Sequence, residues 1–395
     1  MKRTAKQRVS ALQAWPIVRL GEIAQRISKG ESPAWQGFEY QSKGIRFIRS
    51  ENVLFGQCSY APEVFIQTVF HSKIARSAIR PGDVLVNLVG ASIGRACMAP
   101  ADMGEANVNQ AVAVITPSPS LDPVYLLMFI LSPPIQHYFQ RSKVDMARPN
   151  ISLNDLRILE LPLPPLPDQH RIAARLREQL AAVAEARAAV QAQAETLEKL
   201  IHAILRESLR NGNPSPARFA DCLHEVTAGI GDEWSKYPVL GATRSGLAPA
   251  KEGVGKNPGR YKPVRPGTIF YNPMRILLGS IAMIDDDDAP GITSPDYVVM
   301  KAVEGRLSAR WFYHWFRSRY GAEFIKSMTR GAVRERLMFK RLAPASVAVP
   351  DFKHQQAAAV QFAEIKKAKT KLAEQQEALD HLPAALLREA FAGRI

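Results

Sequence analysis

The sequence predicts an α/β protein built as a pseudo-two-fold internal repeat. Two tandem globular domains are separated and followed by long helices that form an antiparallel coiled coil. Three observations predict this fold. Blocks of sequence recur in the same order at an offset of 185 or 186 residues. Each copy opens with short apolar runs broken by Gly and Pro, the pattern of strands and turns. Each closes with a long segment carrying a single apolar seam.

Four blocks carry the repeat. Arg80-Pro-Gly-Asp-Val-Leu-Val-Asn87 matches Arg265-Pro-Gly-Thr-Ile-Phe-Tyr-Asn272 at offset 185, and Ala147–Leu156 aligns with Val333–Leu342 at 186. Leu163-Pro164 aligns with Val349-Pro350, and Gln169 with Gln355, again at 186. That period is far longer than the unit of a solenoid, so each copy is a whole domain with its trailing helix.

Taken in order, residues 1–14 are a tail with Lys2, Arg3, Lys6 and Arg8, and no apolar signal core succeeds it. Residues 15–167 form the first domain, with strands expected at Ile45–Ile48, Val84–Val89 and Val112–Ile115 and a helix at Val124–Phe139. Tyr125, Phe129 and Phe139 read as its core face. The run Leu161-Pro-Leu-Pro-Pro-Leu-Pro167 stops the domain, and Asp168 is placed to cap a helix.

Residues 168–212 form the central helical spacer, and 168–209 contain neither Gly nor Pro. Ile172, Leu176, Leu180, Val183, Val190, Leu197, Ile201 and Ile204 step by fours, threes and sevens along one seam of coiled-coil type. Asn211-Gly212-Asn213-Pro214 ends it. Residues 213–352 form the second domain, with strands at Ile269–Tyr271 and Tyr297–Met300 and a helix at Ala309–Met328 whose core face carries Trp311, Trp315, Phe316 and Phe324. Residues 353–395 form the C-terminal spacer, with Ala358, Ile365, Leu372, Leu379 and Leu386 seven residues apart and Phe362 and Leu382 alongside. Pro383 is expected to kink or break this helix. Lys366, Lys367, Lys369 and Lys371 are expected on a solvated face. A lone helix cannot bury such a seam, so the two are expected to pair, as a rod of roughly 60 Å.

The net charge is +15, which points to a polyanionic partner, nucleic acid above all. Duplex DNA is pseudo-symmetric, with a turn of roughly 34 Å, and two like domains held apart by a stiff spacer suit a split site. Cys58, Cys97 and Cys222 lie far apart with no C-x-x-C pair, so they read as small apolar residues in a reducing cytoplasm. No stretch has the apolar length of a membrane span.

Several motifs together resemble the specificity subunits of Type I restriction–modification systems, over nearly the whole chain. They are Trp15-Pro-Ile-Val-Arg-Leu-Gly-Glu-Ile23 with Lys29-Gly-Glu-Ser-Pro33, then Arg80-Pro-Gly-Asp-Val-Leu-Val86, then Ser92-Ile-Gly-Arg95 with Val108-Asn-Gln110, then the Pro-rich run into Gln169. The second half echoes them more weakly. It has Val349-Pro-Asp-Phe352 for the Pro-rich run and no good match to Lys29–Pro33, which leaves its strand order open. The resemblance implies two target-recognition domains that each read half of a bipartite double-stranded DNA site. It implies helical spacers that recruit two methyltransferase subunits, which motor-nuclease restriction subunits then join. No cofactor is expected in this chain; S-adenosylmethionine and catalysis belong to the methyltransferase partner. The expected location is cytoplasmic and nucleoid-associated.

Direct readout of bases uses Arg or Lys on guanine and Asn or Gln on adenine. The DNA-binding candidates of the first domain are Lys29, Arg46, Arg49, Arg95, Asn109, Gln110, Arg141, Lys143 and Arg148. Those of the second are Arg244, Lys251, Lys256, Arg260, Lys262, Arg275, Arg330, Arg334 and Arg336. The Gly-rich stretch from Gly241 to Arg260 reads as a loop able to order on a phosphate backbone.

Enzyme motifs fail. Asn272-Pro-Met-Arg275 lacks the second proline and the aromatic of an adenine methyltransferase motif. Gly253-Val-Gly-Lys-Asn257 has Ala250 and Asn257 where a P-loop needs Gly and Ser or Thr. Asp285–Asp288 reads as an exposed acidic turn and not a metal site, and His170 and His354 stand near helix starts without partner ligands. Two other readings remain: a recognition chain of a different DNA-modification or phage-defence complex, and a coiled-coil adaptor that binds no DNA.

Overall fold

The Arg-Pro-Gly block of each copy folds into the same turn. The Arg80 N–H donates to the Asp83 carboxylate at 2.8 Å, and the Arg265 N–H donates to the Thr268 hydroxyl at 3.1 Å. Gly82 and Gly267 take φ of 85° and 79°, the left-handed region where a side chain is strained. Each turn launches the buried strand that centres its domain, Val84–Asn87 or Thr268–Tyr271.

The computed structural model describes residues 15–141, 150–329 and 336–392. The chain divides into two compact units, Met1–Ala188 with Gln376–Ile395, and Ala189–Gln375. Each long helix therefore contributes to both.

In the first unit, a four-stranded antiparallel sheet has the spatial order Ala24–Lys29, Val112–Pro117, Val84–Asn87, Ala96–Met98. In the second, the order is Leu223–Glu225, Val298–Ala302, Thr268–Tyr271, Ile281–Met283, the same topology. Each unit also closes its first and last strands into an antiparallel pair, Ile17–Arg19 with Glu160–Pro162 and Ser215–Arg218 with Ser346–Val349. The strand order that the sequence left open in the second half is thus the order of the first. The copies differ beyond the shared sheet. The first adds a three-stranded sheet with one parallel pair, Ile45–Ile48 against Ala106–Val108, and the second adds two small antiparallel pairs.

The expected helix at Val124–Phe139 is two helices, Pro123–Ile130 and Pro133–Arg141. Pro133 and Pro134 have no N–H to continue the first and are tolerated in the opening turn of the second. Ala309–Met328 is likewise split, into Ala309–Arg317 and Arg319–Thr329. Ser318 between them is extended, and its hydroxyl accepts the N–H groups of Tyr320 and Gly321 that open the second helix. The predicted aromatic faces are core: Tyr125, Phe129, Phe139, Trp311, Trp315 and Phe316 are buried, with Phe324 packed against them.

The central helix spans Leu166–Asn211. It starts two residues before Asp168, which therefore lies in the first turn, beside Arg171, and not at the cap. The C-terminal helix spans Phe352–Phe391. In the first unit Ile172 and Leu176 share a core with Leu387 and Ala390. In the second, Ile201 and Ile204 share one with Ala358, Phe362 and Ile365. The helical segments are antiparallel in each. Leu180, Val190, Leu197, Leu379 and Leu386 are half-buried, Val183 and Leu372 are buried, and Leu382 lies exposed.

Pro383 does not interrupt its helix. A proline here removes the N–H that would bond to the Leu379 carbonyl four residues earlier. The Arg187 guanidinium of the central helix donates to that carbonyl at 2.9 Å and pairs with Asp380 at 3.0 Å. A side chain from the facing helix thus replaces the missing backbone donor.

Two further expectations are corrected. Lys366 and Lys369 are not simply solvated, because Lys366 binds Asp287 and Asp288 and Lys369 binds Glu198. Asp285–Asp288 is a turn with Asp286 and Asp287 exposed, as expected, but it is not wholly solvated. Asp285 is buried and paired with Arg310, and the acidic run ties the second domain to the C-terminal helix. Burial opposes ionisation of Asp285, yet the hydrogen bonds from Arg310 and from the Asp286 N–H hold its carboxyl below the usual range.

One buried glutamine does the same work in both copies. Gln169 accepts the N–H of Asp122 at 2.8 Å and donates to the carbonyls of Ser120 and Pro164 at 2.9 and 2.8 Å. Gln355 accepts the N–H of Ser308 at 2.8 Å and donates to Arg306 and Pro350 at 3.3 and 2.7 Å. All four positions correspond at offset 186. Asp122 and Ser308 cap the first core helix of their domains, so each clamp fastens a domain to the start of its long helix.

Candidate nucleic-acid interface

The first copy gathers its polar candidates at one end of the four-stranded sheet. Lys29 closes the edge strand opposite Ala113. A Cβ on Gly30 would lie 1.6 Å from the Val108 carbonyl, so only glycine lets the chain cross the backbone there. The Asn109 N–H bonds to the Ile48 carbonyl at 3.0 Å, which sets Arg49 beside it. The loop between Asn87 and Arg95 leaves the same end, and Leu88 N–H bonds to the Ala111 carbonyl at 2.8 Å. Lys29, Arg49, Arg95, Asn109 and Gln110 are therefore brought together.

Arg46 is committed elsewhere. Its guanidinium reaches Glu63 at 2.9 Å and the Met103 carbonyl at 3.0 Å and stacks over Tyr60. Arg49 pairs with Glu51 and leans over Tyr40. Arg141 is exposed at the end of its helix. Lys143 and Arg148 lie outside the described residues, as do Arg330 and Arg334 of the second copy.

In the second copy, a concavity of about 850 Å³ is lined by Arg244, Lys251, Arg275, Arg317 and Lys326, with no carboxylate in its wall among the described residues. Three of these five were candidates from sequence. Arg317 and Lys326 were missed because their helices were read only for their aromatic core faces. Arg317 ends the first helix and donates to the carbonyls of Ile281 and Arg244, both at 2.7 Å. Lys256 and Arg260 are exposed on the Gly-rich stretch. Lys262 faces inward, where its ammonium donates to the Tyr297 carbonyl at 2.8 Å and burial lowers its pKa. Arg336 is exposed and contacts the Met274 sulfur.

Among the described residues no group of His, Cys, Asp and Glu assembles as a metal site. His170 faces Asp122 at 3.5 Å and His354 faces Asp351 at 2.8 Å, a carboxylate beside each. Cys97 and Cys222 are buried, Cys58 is half-buried, and all three are free thiols. No described helix is long and apolar enough to cross a membrane.

Fold and site together define a tandem pseudo-repeat protein of two α/β domains, with cations gathered at one end of the first sheet and a basic concavity in the second domain. Residues 13–189 match the family described as Type I restriction modification DNA specificity domain. Over 143 residues, 36% of this chain, the sequence is 34% identical to the Type I restriction enzyme EcoBI specificity subunit of Escherichia coli. That match spans 30% of the relative's length. Among solved structures, a chain from a study of complex assembly and conformational transition of the type I R-M system aligns with TM-score 0.68 and 17% identity, covering 97% of this chain and 99% of that one. The HsdS subunit from Thermoanaerobacter tengcongensis aligns with TM-score 0.58 and 18% identity over 97% and 98%. The Type-I restriction-modification S subunit from M. genitalium aligns with TM-score 0.51 and 14% identity over 95% and 96%. The chain thus resembles Type I specificity subunits in sequence over its first domain and in fold over nearly its whole length.

Proposed function

We propose that this chain is the non-catalytic specificity subunit of a Type I restriction–modification complex. Residues 15–167 and 213–352 act as two target-recognition domains, each reading half of a bipartite double-stranded DNA target. Residues 168–212 and 353–395 are helical spacers that recruit two methyltransferase subunits, which bring S-adenosylmethionine and in turn hold the motor-nuclease subunits. The complex works in the cytoplasm, on the nucleoid. The observation that carries the reading is the duplication of one sheet topology, together with one glutamine clamp repeated at offset 186, and a basic concavity in the second copy. Phosphate contacts come from exposed cations such as Lys29, Arg244, Lys251 and Arg275 and from the half-buried Arg95, while Asn109 and Gln110 are the adenine readers of the first domain.

A salt titration of duplex binding by the assembled complex tests DNA recognition. Six to ten phosphate contacts make affinity fall by roughly 10³ to 10⁵ between 50 and 200 mM salt. A weak, salt-insensitive interaction favours the protein-binding adaptor instead.

A further inference from the structure

The loop Asn272–Ser280 overhangs the basic concavity of the second domain and carries three large apolar side chains in solvent. Met274 is 59% exposed, Leu277 40% and Leu278 69%. Water does not favour such a cluster, and the loop is not loose. Ile276 is buried beneath it, the N–H groups of Arg275, Leu278 and Gly279 bond within it, and Arg317 donates to the carbonyls of Gly279 and Ile281. Gly279 turns the chain at φ 81°. The loop is thus a braced apolar tip, rimmed by Arg244, Lys251, Arg275 and Lys326. The corresponding loop of the first domain, between Asn87 and Arg95, exposes Val89 in place of this cluster and has Ala91 and Ser92 nearby.

We propose that Leu277 and Leu278 form a wedge that the second domain presses into a base step of duplex DNA. A concavity lined by five cations and, among the described residues, by no carboxylate favours a polyanion as the occupant of this surface over a protein. Apolar side chains projecting from a basic surface are how proteins unstack and kink a duplex. The brace means the backbone of the tip arrives ordered, with little backbone freedom left to lose on binding. The wedge is a property of the second domain alone, so distortion falls in one half of the target. This inference rests on the reading of the chain as a DNA-recognition subunit.

The test uses the full chain in the complex with which it copurifies, on a duplex selected by that complex from a random-sequence pool. 2-Aminopurine is walked through the selected site and its fluorescence read. We expect a several-fold rise at one step with the native chain, loss of that rise in L277S/L278S, and retention in L277M/L278M. Melting temperature serves as the folding control, since both side chains are exposed. Binding with unchanged fluorescence in the native chain, or an equal rise in L277S/L278S, overturns the wedge while leaving DNA recognition intact. Loss of a protein subunit from L277S/L278S with DNA distortion unchanged makes the tip a protein-docking surface and overturns the wedge too. Failure to select any duplex rejects the DNA-recognition reading itself.

Discussion

Gln169 and Gln355 are fully buried amides whose donors and acceptors all meet backbone groups of the preceding domain. Truncation leaves one N–H and two carbonyls unpaired in the interior, each a desolvated polar group. Gln169→Ala and Gln355→Ala are each expected to destabilise their own unit by about 2–4 kcal/mol, read by denaturant unfolding. A loss below about 0.5 kcal/mol contradicts the clamp. His314 gives a pH dependence. Burial first, then Lys369 and Arg317, push its pKa from 6.5 down to about 3. Between those values the unfolded chain binds a proton that the folded chain refuses. Its contribution to stability is therefore complete above about 6.5 and falls as the pH drops toward 3. The denaturation midpoint of the second unit should decline from pH 7 to pH 5, and less steeply in His314→Phe; equal slopes would exclude His314 as a source. The sequence placed both glutamines at matching offsets but not their function, because their partners lie 47 to 49 residues away or across a turn. It also selected cations by type and so included Arg46 and Lys262, which fold inward, while passing over Arg317 and Lys326.

At the scale of elements, periodicity located the strands and the long helices, whereas breaks depended on local chemistry that periodicity does not register. Pro133-Pro134 and Ser318 divide two apparently continuous amphipathic runs. Pro383, the strongest breaker signal in the C-terminal helix, is neutralised by a residue nearly two hundred positions earlier. Its repair yields a double-mutant cycle. Arg187→Met should cost about 1–2 kcal/mol in the native background, because the Leu379 carbonyl loses its donor. In Pro383→Ala, residue 383 regains an N–H for that carbonyl, and the same substitution should cost about 1 kcal/mol less. The Asp380 ion pair is lost in both backgrounds and cancels. Additive effects would remove the carbonyl cap from the account. The lysines of the C-terminal helix were legible as a charged face, but not as the partners of Glu198 and the Asp285–Asp288 run, since charge pattern along one helix carries no information about what packs beside it.

At the scale of the whole molecule, duplication was the feature most legible in the sequence, because four blocks kept their order and spacing. The division into compact units was not, since each unit draws on both long helices. The basic concavity supplies a graded prediction. Lys326→Ala should weaken duplex binding by a similar factor for all sequences and lower the salt slope by about 1, as one phosphate contact does. An unchanged slope removes Lys326 from the interface. The central claim is that this chain decides which DNA is modified. It is tested most directly by expressing the chain with the methyltransferase encoded beside it, in a host without background adenine methylation, and mapping N6-methyladenine across the genome. The account predicts methylation at one split motif with an unspecific gap, present only when this chain is expressed. A stable, cofactor-binding complex that leaves the genome unmethylated would contradict it.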